Sequence, residues 1–194
     1  MILTAQTLTR PLWLSLCLIL CLGLRMASAD TPALWQEEAQ RFRVGLKIFP
    51  ACLGALEALA DSLAPDGSLP VVVVYEGSDE TARQAVSNLE EIDRVRGFAL
   101  NVRLLSASTL DAYSGARPGG VFVASVGVSS ARLRSWSERH QTLVFSPFAG
   151  AVEAGAVAGI HVADRILPYI NMTQAQRAHV RFKPFFLEVA RKHD

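Results

Sequence analysis

Several serine and acidic residues of this chain directly follow predicted β-strands, at positions where they could bind a polar ligand. The candidates are Glu76, Ser78, Asp79, Ser106, Ser125, Ser129 and Ser146. In an open sheet of parallel strands, ligands bind outside the carboxyl ends of the strands, and a helix that begins there presents free N–H groups to an anion. Each serine could equally cap the helix after it, since Ser is a preferred N-cap residue. The pattern indicates either ligand-binding loops or helix caps.

His161 is a further candidate, because it interrupts an apolar segment with a titratable ring. If Ile160 and Val162 face the core, strand alternation places His161 on the opposite, outward side. A structural, exposed histidine and a ligand-binding histidine both fit this pattern.

The sequence contains none of the spacings expected for an enzyme active site or a cofactor site. No serine lies in a Gly-x-Ser-x-Gly elbow, and no pair of histidines or cysteines has metal-ligand spacing. The glycine-bearing segment 115–120 precedes a predicted strand, whereas a phosphate-binding loop follows a strand and opens a helix. We therefore predict that the protein is not an enzyme and has no catalytic residues, metal or cofactor.

Strands and helices alternate at short intervals in the middle of the chain. Pro70–Tyr75 is a continuous, valine-rich run, which is typical of a strand buried on both faces of a parallel sheet. Further strands are predicted at 98–105, 121–124 and 142–145, and helices at 79–94, from Ser106 or Ser108 to 113, and from Ser129 or Ser130 to 139. This alternation predicts an α/β domain with a mostly parallel sheet.

The segment before the first strand is predicted to be helical. Apolar residues recur at helical spacing from residue 31, and Pro50 is expected to break or kink the helix near Phe49. A second short helix is expected at 51–60.

The last fifty residues predict an addition to the sheet. Segments 156–162 and 165–170 read as an antiparallel hairpin at a sheet edge, followed by a helix at 174–179 that Thr173 caps. A final helix is expected at 184–192. Its apolar stripe, which should pack against the core, consists of Phe182, Phe185, Phe186 and Val189.

Residues 1–29 have the features of a cleaved secretory signal. Arg10 precedes an uncharged run at 11–24, and the small residues Ala27 and Ala29 follow it. The run is shorter than the roughly 20 apolar residues that a membrane-spanning helix needs. An uncleaved anchor and a lipoprotein cut before Cys21 are the alternatives. Cleavage after Ala29 predicts a periplasmic protein with one domain at 30–194, which does not insert into the membrane.

Composition narrows the classes of protein further. The 194 residues are 51% hydrophobic and carry a formal net charge of +1. Such a chain is too apolar to be disordered, and it has no electrostatic footprint for nucleic acid. After signal cleavage Cys52 is the only cysteine, so no intramolecular disulfide can form, and its apolar surroundings predict a buried thiol.

The C-terminal part resembles the YfiR family of small exported proteins. The resemblance rests on Gly155–Ile160, on the strand Arg165–Asn171 that ends in Ile-Asn, and on Val180–Leu187 after a short helix. It implies a single Rossmann-like domain in the periplasm, without catalysis. The best-understood member represses a membrane-bound diguanylate cyclase by binding its periplasmic part. This chain lacks the cysteine pairs that member uses for redox-sensitive disulfides.

The resemblance implies a regulatory binding protein whose partner is a membrane-embedded signalling protein or a small polar ligand. A homodimer is one possible assembly. The alternative is the substrate-recognition component of an ABC-type transporter, since periplasmic solute-binding proteins share the strand–helix alternation.

Overall fold

The computed structural model describes residues 31–194, with side chains from Gln36 onward. Residues 38–194 form one compact unit. The predicted signal segment 1–29 lies outside the described residues. The predicted boundary between signal and domain therefore stays a prediction.

Helices and strands alternate through the described chain. The helices are α1 (Thr31–Gly54), α2 (Glu80–Ile92), α3 (Ala107–Asp111), α4 (Ser130–His140), α5 (Ala151–Ala154), α6 (Met172–Arg177) and α7 (Pro184–Val189), with a 3₁₀ turn at Leu59–Ser62. The strands are β1 (Leu69–Tyr75), β2 (Arg94–Val95), β3 (Phe98–Ser106), β4 (Gly120–Val123), β5 (Leu143–Ser146), β6 (Ala158–Val162), β7 (Ile166–Asn171) and β8 (Arg191–His193).

The strands of the described residues form one eight-stranded sheet with the order β2-β3-β1-β4-β5-β6-β7-β8. Strands β3, β1, β4, β5 and β6 run parallel to one another. Strand β2 is antiparallel to β3, β7 is antiparallel to β6, and β8 is parallel to β7. The predicted fold class is confirmed: an α/β, Rossmann-like domain with a mostly parallel sheet and an antiparallel hairpin added to it.

The valine run of β1 supplies side chains to both faces of the sheet. Val71 and Val73 point into the larger core, which α1 and α2 cover, and Val72 and Val74 point into the smaller core, which α3 and α4 cover. All four are essentially buried. Burial on both faces explains the absence of polar–apolar alternation in this strand.

Aromatic rings fill the larger core beneath α1. Phe49 is fully buried. The centroid of its ring lies 5.4 Å from that of Phe122 and 5.5 Å from that of Phe145. Each such side chain contributes roughly 1.5–3 kcal/mol through burial. These contacts hold α1 against the centre of the sheet.

Of the two outcomes expected at Pro50, a break or a kink, the break is wrong, because α1 continues through Pro50 to Gly54. Pro50 has no N–H for the helix. Leu46, Phe49 and Leu53 are nevertheless buried before and after it, and their packing offsets the lost hydrogen bond. The expected helix at 51–60 is replaced by the end of α1 and the 3₁₀ turn.

The final helix is shorter than predicted. It ends at Val189, and β8 follows and pairs with β7. Only part of the expected apolar stripe is buried: Phe182 and Phe186 lie in the core, whereas Phe185 and Val189 are 62% and 59% exposed. The helix α6 begins after Asn171, whose side-chain oxygen accepts from the Gln174 N–H at 2.8 Å, so Asn171 rather than Thr173 is the cap.

Candidate functional site

The carboxyl ends of β1 and β4 form the topological switch point of the sheet. These strands are neighbours, but the chain leaves β1 toward α2 on one face and leaves β4 toward α4 on the other. A crevice between such diverging connections is the usual ligand site of an open α/β sheet. The loops that hold Glu76 and Ser125 border it.

In this protein the two loops bind each other at the switch point. The Glu76 backbone N–H donates to the Ser125 Oγ at 2.9 Å, and the Ser125 hydroxyl donates to the Glu76 carbonyl at 3.2 Å. Ser125 thus uses its donor and an acceptor within the fold, which leaves it poorly suited to hold a ligand.

Arg132 forms a partly exposed charge cluster beside these loops. Its guanidinium contacts the Glu76 carboxylate at 2.6 Å and the Asp111 carboxylate at 3.0 Å. The hydrogen bond from Arg132 to Asp111 is the main cause of a raised pKa for Arg132. The second Asp111 oxygen accepts from the buried Trp136 indole at 2.7 Å. The charged side chains at the switch point are therefore paired within the protein.

The other polar candidates near this edge are helix-start residues. Ser106 accepts from the Thr109 N–H at 3.1 Å and Ser129 from the Arg132 N–H at 3.4 Å, as their predicted capping roles require. Ser78 accepts from the Glu80 N–H at 3.4 Å, although α2 begins at Glu80 and Asp79 is its N-cap residue. The hydrogen bond from Arg83 lowers the pKa of Asp79.

His161 borders a separate, open cleft at the hairpin side of the carboxyl edge. The cleft encloses about 390 Å³, including space open to solvent. The residues that line it include a cation, a carboxylate and aromatic rings: Arg41, Phe148, Glu153, His161 and Tyr169. We call this the His161 cleft.

Aromatic contacts fix the wall of the His161 cleft. The His161 ring packs edge-on against Tyr169 with 5.4 Å between centroids, and Tyr169 meets His193 of β8 at 6.1 Å. Partial burial, followed by a hydrogen bond with Glu153, raises the pKa of Tyr169. The Tyr169 hydroxyl therefore keeps its proton at neutral pH. It already has polar neighbours, since its oxygen also lies 3.4 Å from the His193 Nδ1, so toward a ligand it is better suited to accept a hydrogen bond than to donate one.

The pairing of β5 with β6 depends on a glycine. Ser146 is buried at the end of β5 and pairs with Gly159 of β6, so it does not reach a ligand. A Cβ on Gly159 would lie 2.4 Å from the Ser146 carbonyl oxygen. Only glycine permits β5 and β6 to approach this closely behind the cleft.

The outward orientation predicted for His161 is confirmed in part. Ile160 is buried and His161 is half-buried, but Val162 is 44% exposed rather than directed into the core. Val162 pairs with Ile166 at the end of the hairpin, next to its turn.

The structure thus divides the predicted residues between two places. Glu76 and Ser125 meet at the switch point, and Arg132 connects them to the helices that Ser106 and Ser129 cap. His161 lies in its own cleft. Arg132, Asp111, Glu153 and Tyr169 were not among the predicted site residues. The only signal for Arg132 in the sequence is its position one turn into a helix that a serine caps.

No group of three or more His, Cys, Asp or Glu side chains among residues 31–194 lies close enough together to hold a metal ion. Within the same residues, no helix is long and apolar enough to cross a membrane.

Comparison with solved structures supports the fold. A ligand-free, open substrate-binding protein with adhesive properties from Clostridium difficile is similar over 77% of this chain and 58% of its own length, with a TM-score of 0.52 and 14% identity. An ABC domain in complex with L-Trp from Streptococcus pneumoniae is similar over 73% of this chain and 60% of its own (TM-score 0.49, 13% identity). A conserved domain protein from Vibrio cholerae is similar over 70% and 58% (TM-score 0.45, 16% identity).

At 14% identity the likeness to the Clostridium difficile protein shows the fold alone. This chain spans about three fifths of the length of each of the three proteins. No protein-family model matches the sequence, and no curated protein matches it significantly.

Proposed function

We propose that this protein is a non-enzymatic regulatory binding protein of the periplasm. It resembles YfiR and modulates a membrane-bound signalling protein, such as a diguanylate cyclase or a sensor kinase. The observation that supports this proposal is the contrast between two parts of the edge of the sheet where the parallel strands end. At the switch point the Glu76, Arg132 and Asp111 side chains are already paired with one another, whereas the His161 cleft is open and lined by groups suited to a small polar ligand.

The character of the cleft favours binding without chemistry. Arg41 and Glu153 offer opposite charges, and the His161 and Tyr169 rings offer flat, partly polar surfaces. These groups suit a small ligand with charged or hydrogen-bonding ends. Because the cleft lies at the surface of one α/β unit, a bound ligand would stay near any protein docked at this edge. Such a ligand could shift the affinity for that partner.

The substrate-recognition component of an ABC-type transporter is the second candidate. The fold shared with the Clostridium difficile substrate-binding protein favours it. In this alternative the same cleft binds the transported solute, and the partner is a permease.

Capture of the partner tests the proposed function. The mature chain, carrying an affinity tag, is cross-linked in cells and purified from detergent-solubilised membranes, and captured proteins are identified by mass spectrometry. We expect a transmembrane protein with a cyclase or kinase domain. Recovery of a permease and its ATPase instead would contradict the proposal and favour the transporter alternative.

Ligand binding in the His161 cleft is tested by thermal unfolding with a panel of amino acids, dicarboxylates and nucleosides. A ligand at a hundred times its Kd stabilises a protein by about 2.7 kcal/mol. We expect a stabilising compound whose effect is lost in His161→Ala and reduced in Tyr169→Phe. Tyr113→Phe is the matched control, because the Tyr113 hydroxyl donates to Ala116 far from the cleft lining. Equal stabilisation of all four proteins would place the ligand elsewhere.

A further inference from the structure

The outer edge of β3 is open over most of its length. Seven residues of β3 pair with β1 on the inner side, but only Phe98 and Ala99 pair with β2 on the outer side. The Leu100 N–H points outward, because it donates to the Asp93 carbonyl at 2.8 Å. The N–H and C=O groups of successive residues point to opposite sides of a strand, so the N–H and C=O groups of Val102 and Leu104 also point outward. Their edge has no strand partner among the described residues.

Strand β2 is too short to cover this edge, because it has only two residues and follows directly after α2. Arg96 and Gly97 both have positive φ, 53° and 88°, as a type I′ hairpin turn requires. The hairpin therefore pairs tightly, but β2 itself begins only at Arg94. Beyond Leu100 the edge is left without a neighbour.

The opposite edge of the sheet is protected. Strand β8 has three residues, Arg191, Lys192 and His193. Short, charged edge strands discourage the addition of another strand. The β3 edge is longer, and its Leu100, Val102 and Leu104 side chains are only partly buried on the face that packs on the larger core. An added strand would complete their burial.

The other face of β3 has a positive charge at the middle of the open segment. Asn101 and Arg103 are exposed there, and Arg103 forms no ion pair with a residue of the described chain. In antiparallel pairing of two copies centred on this segment, Arg103 would lie directly opposite Arg103 of the other copy. Like charges in that position are destabilising, whereas a carboxylate opposite Arg103 would be favourable.

We propose that the open edge of β3 accepts an extended, acidic segment of a partner protein as an additional strand. The partner's backbone pairs with Val102 and Leu104, its alternate apolar side chains cover the larger-core face, and a carboxylate lies opposite Arg103. The proposal rests on the proposed function in one respect: the partner is the extracytoplasmic part of the signalling protein.

Two short synthetic peptides test the proposal on the mature chain, one alternating valine and glutamate and one alternating valine and lysine. Amide hydrogen exchange is followed by NMR. We expect the valine–glutamate peptide to slow exchange at Val102 and Leu104 on the order of tenfold, and the valine–lysine peptide to leave it unchanged. Arg103→Glu should reverse this preference. Arg43→Glu, the same charge change at an exposed site on α1, should not.

Unchanged exchange with both peptides would overturn the proposal. Protection that appears without peptide as the protein concentration rises would also overturn it, because a second copy would then be the occupant. Membrane capture separates this inference from the proposed function. If wild type and Arg103→Glu capture a cyclase or kinase equally well, the edge proposal alone is contradicted. If the wild-type protein captures neither a cyclase nor a kinase, the proposed function is contradicted.

Discussion

Cys52 shows how burial defines the chemistry of a single residue. The thiol lies near the end of α1 with no solvent exposure, as its apolar neighbours predicted. Burial raises its pKa well above the ordinary thiol value. Since the thiolate is the reactive form, a buried and protonated thiol is inert.

We therefore predict that Cys52 reacts slowly with a thiol reagent in the native protein and rapidly in denaturant. Absorbance of the released reagent group gives both rates. Equal rates in the two states would show that the thiol is accessible in the folded protein.

The same shift predicts a pH dependence of stability. The folded thiol keeps its proton at a pH where the unfolded chain loses it, so the contribution of Cys52 is complete below a pH of about 8.5 and decreases above it. Urea unfolding between pH 7 and 10 should show a steeper loss for wild type than for Cys52→Ala. Parallel curves would contradict the raised pKa.

At the scale of elements, α7 presents two adjacent phenylalanines in opposite environments. Phe186 is 6% exposed and stacks on Phe182 at 5.7 Å, whereas Phe185 is 62% exposed. Phe186→Ala should cost about 3–5 kcal/mol of unfolding free energy, and Phe185→Ala about 0.5 kcal/mol or less. Urea denaturation measures both. Similar costs would mean that α7 packs in another orientation.

The central elements could be predicted from the sequence, because local pattern determines them. The valine run of β1 indicates a buried strand, and the serines before α3 and α4 indicate helix starts. The short elements β2, β8 and α5 have only two to four residues each, too few to show a periodic pattern. Strand β8, for example, is regular only because it pairs with β7, where Tyr169 lies opposite Arg191. The Arg132 cluster was missed for the same reason: its partners lie 21 and 56 residues away.

Export is a prediction about the whole molecule. The Ala27-Ser28-Ala29 sequence predicts that the exported protein begins at Asp30. Mass spectrometry of the periplasmic fraction should find this N-terminus, and Ala29→Arg should prevent processing. Full-length protein in the membrane fraction would contradict cleavage.

The central claim concerns control of a membrane signalling protein, and the most direct measurement is that protein's activity. Detergent-solubilised membranes from cells that lack this chain are assayed for cyclic di-GMP synthesis from GTP and for kinase autophosphorylation from ATP, before and after addition of the purified mature chain. We expect one of these rates to change several-fold and to saturate as the chain is titrated. If both rates stay constant at saturating chain, the protein is not a regulator of the proposed kind.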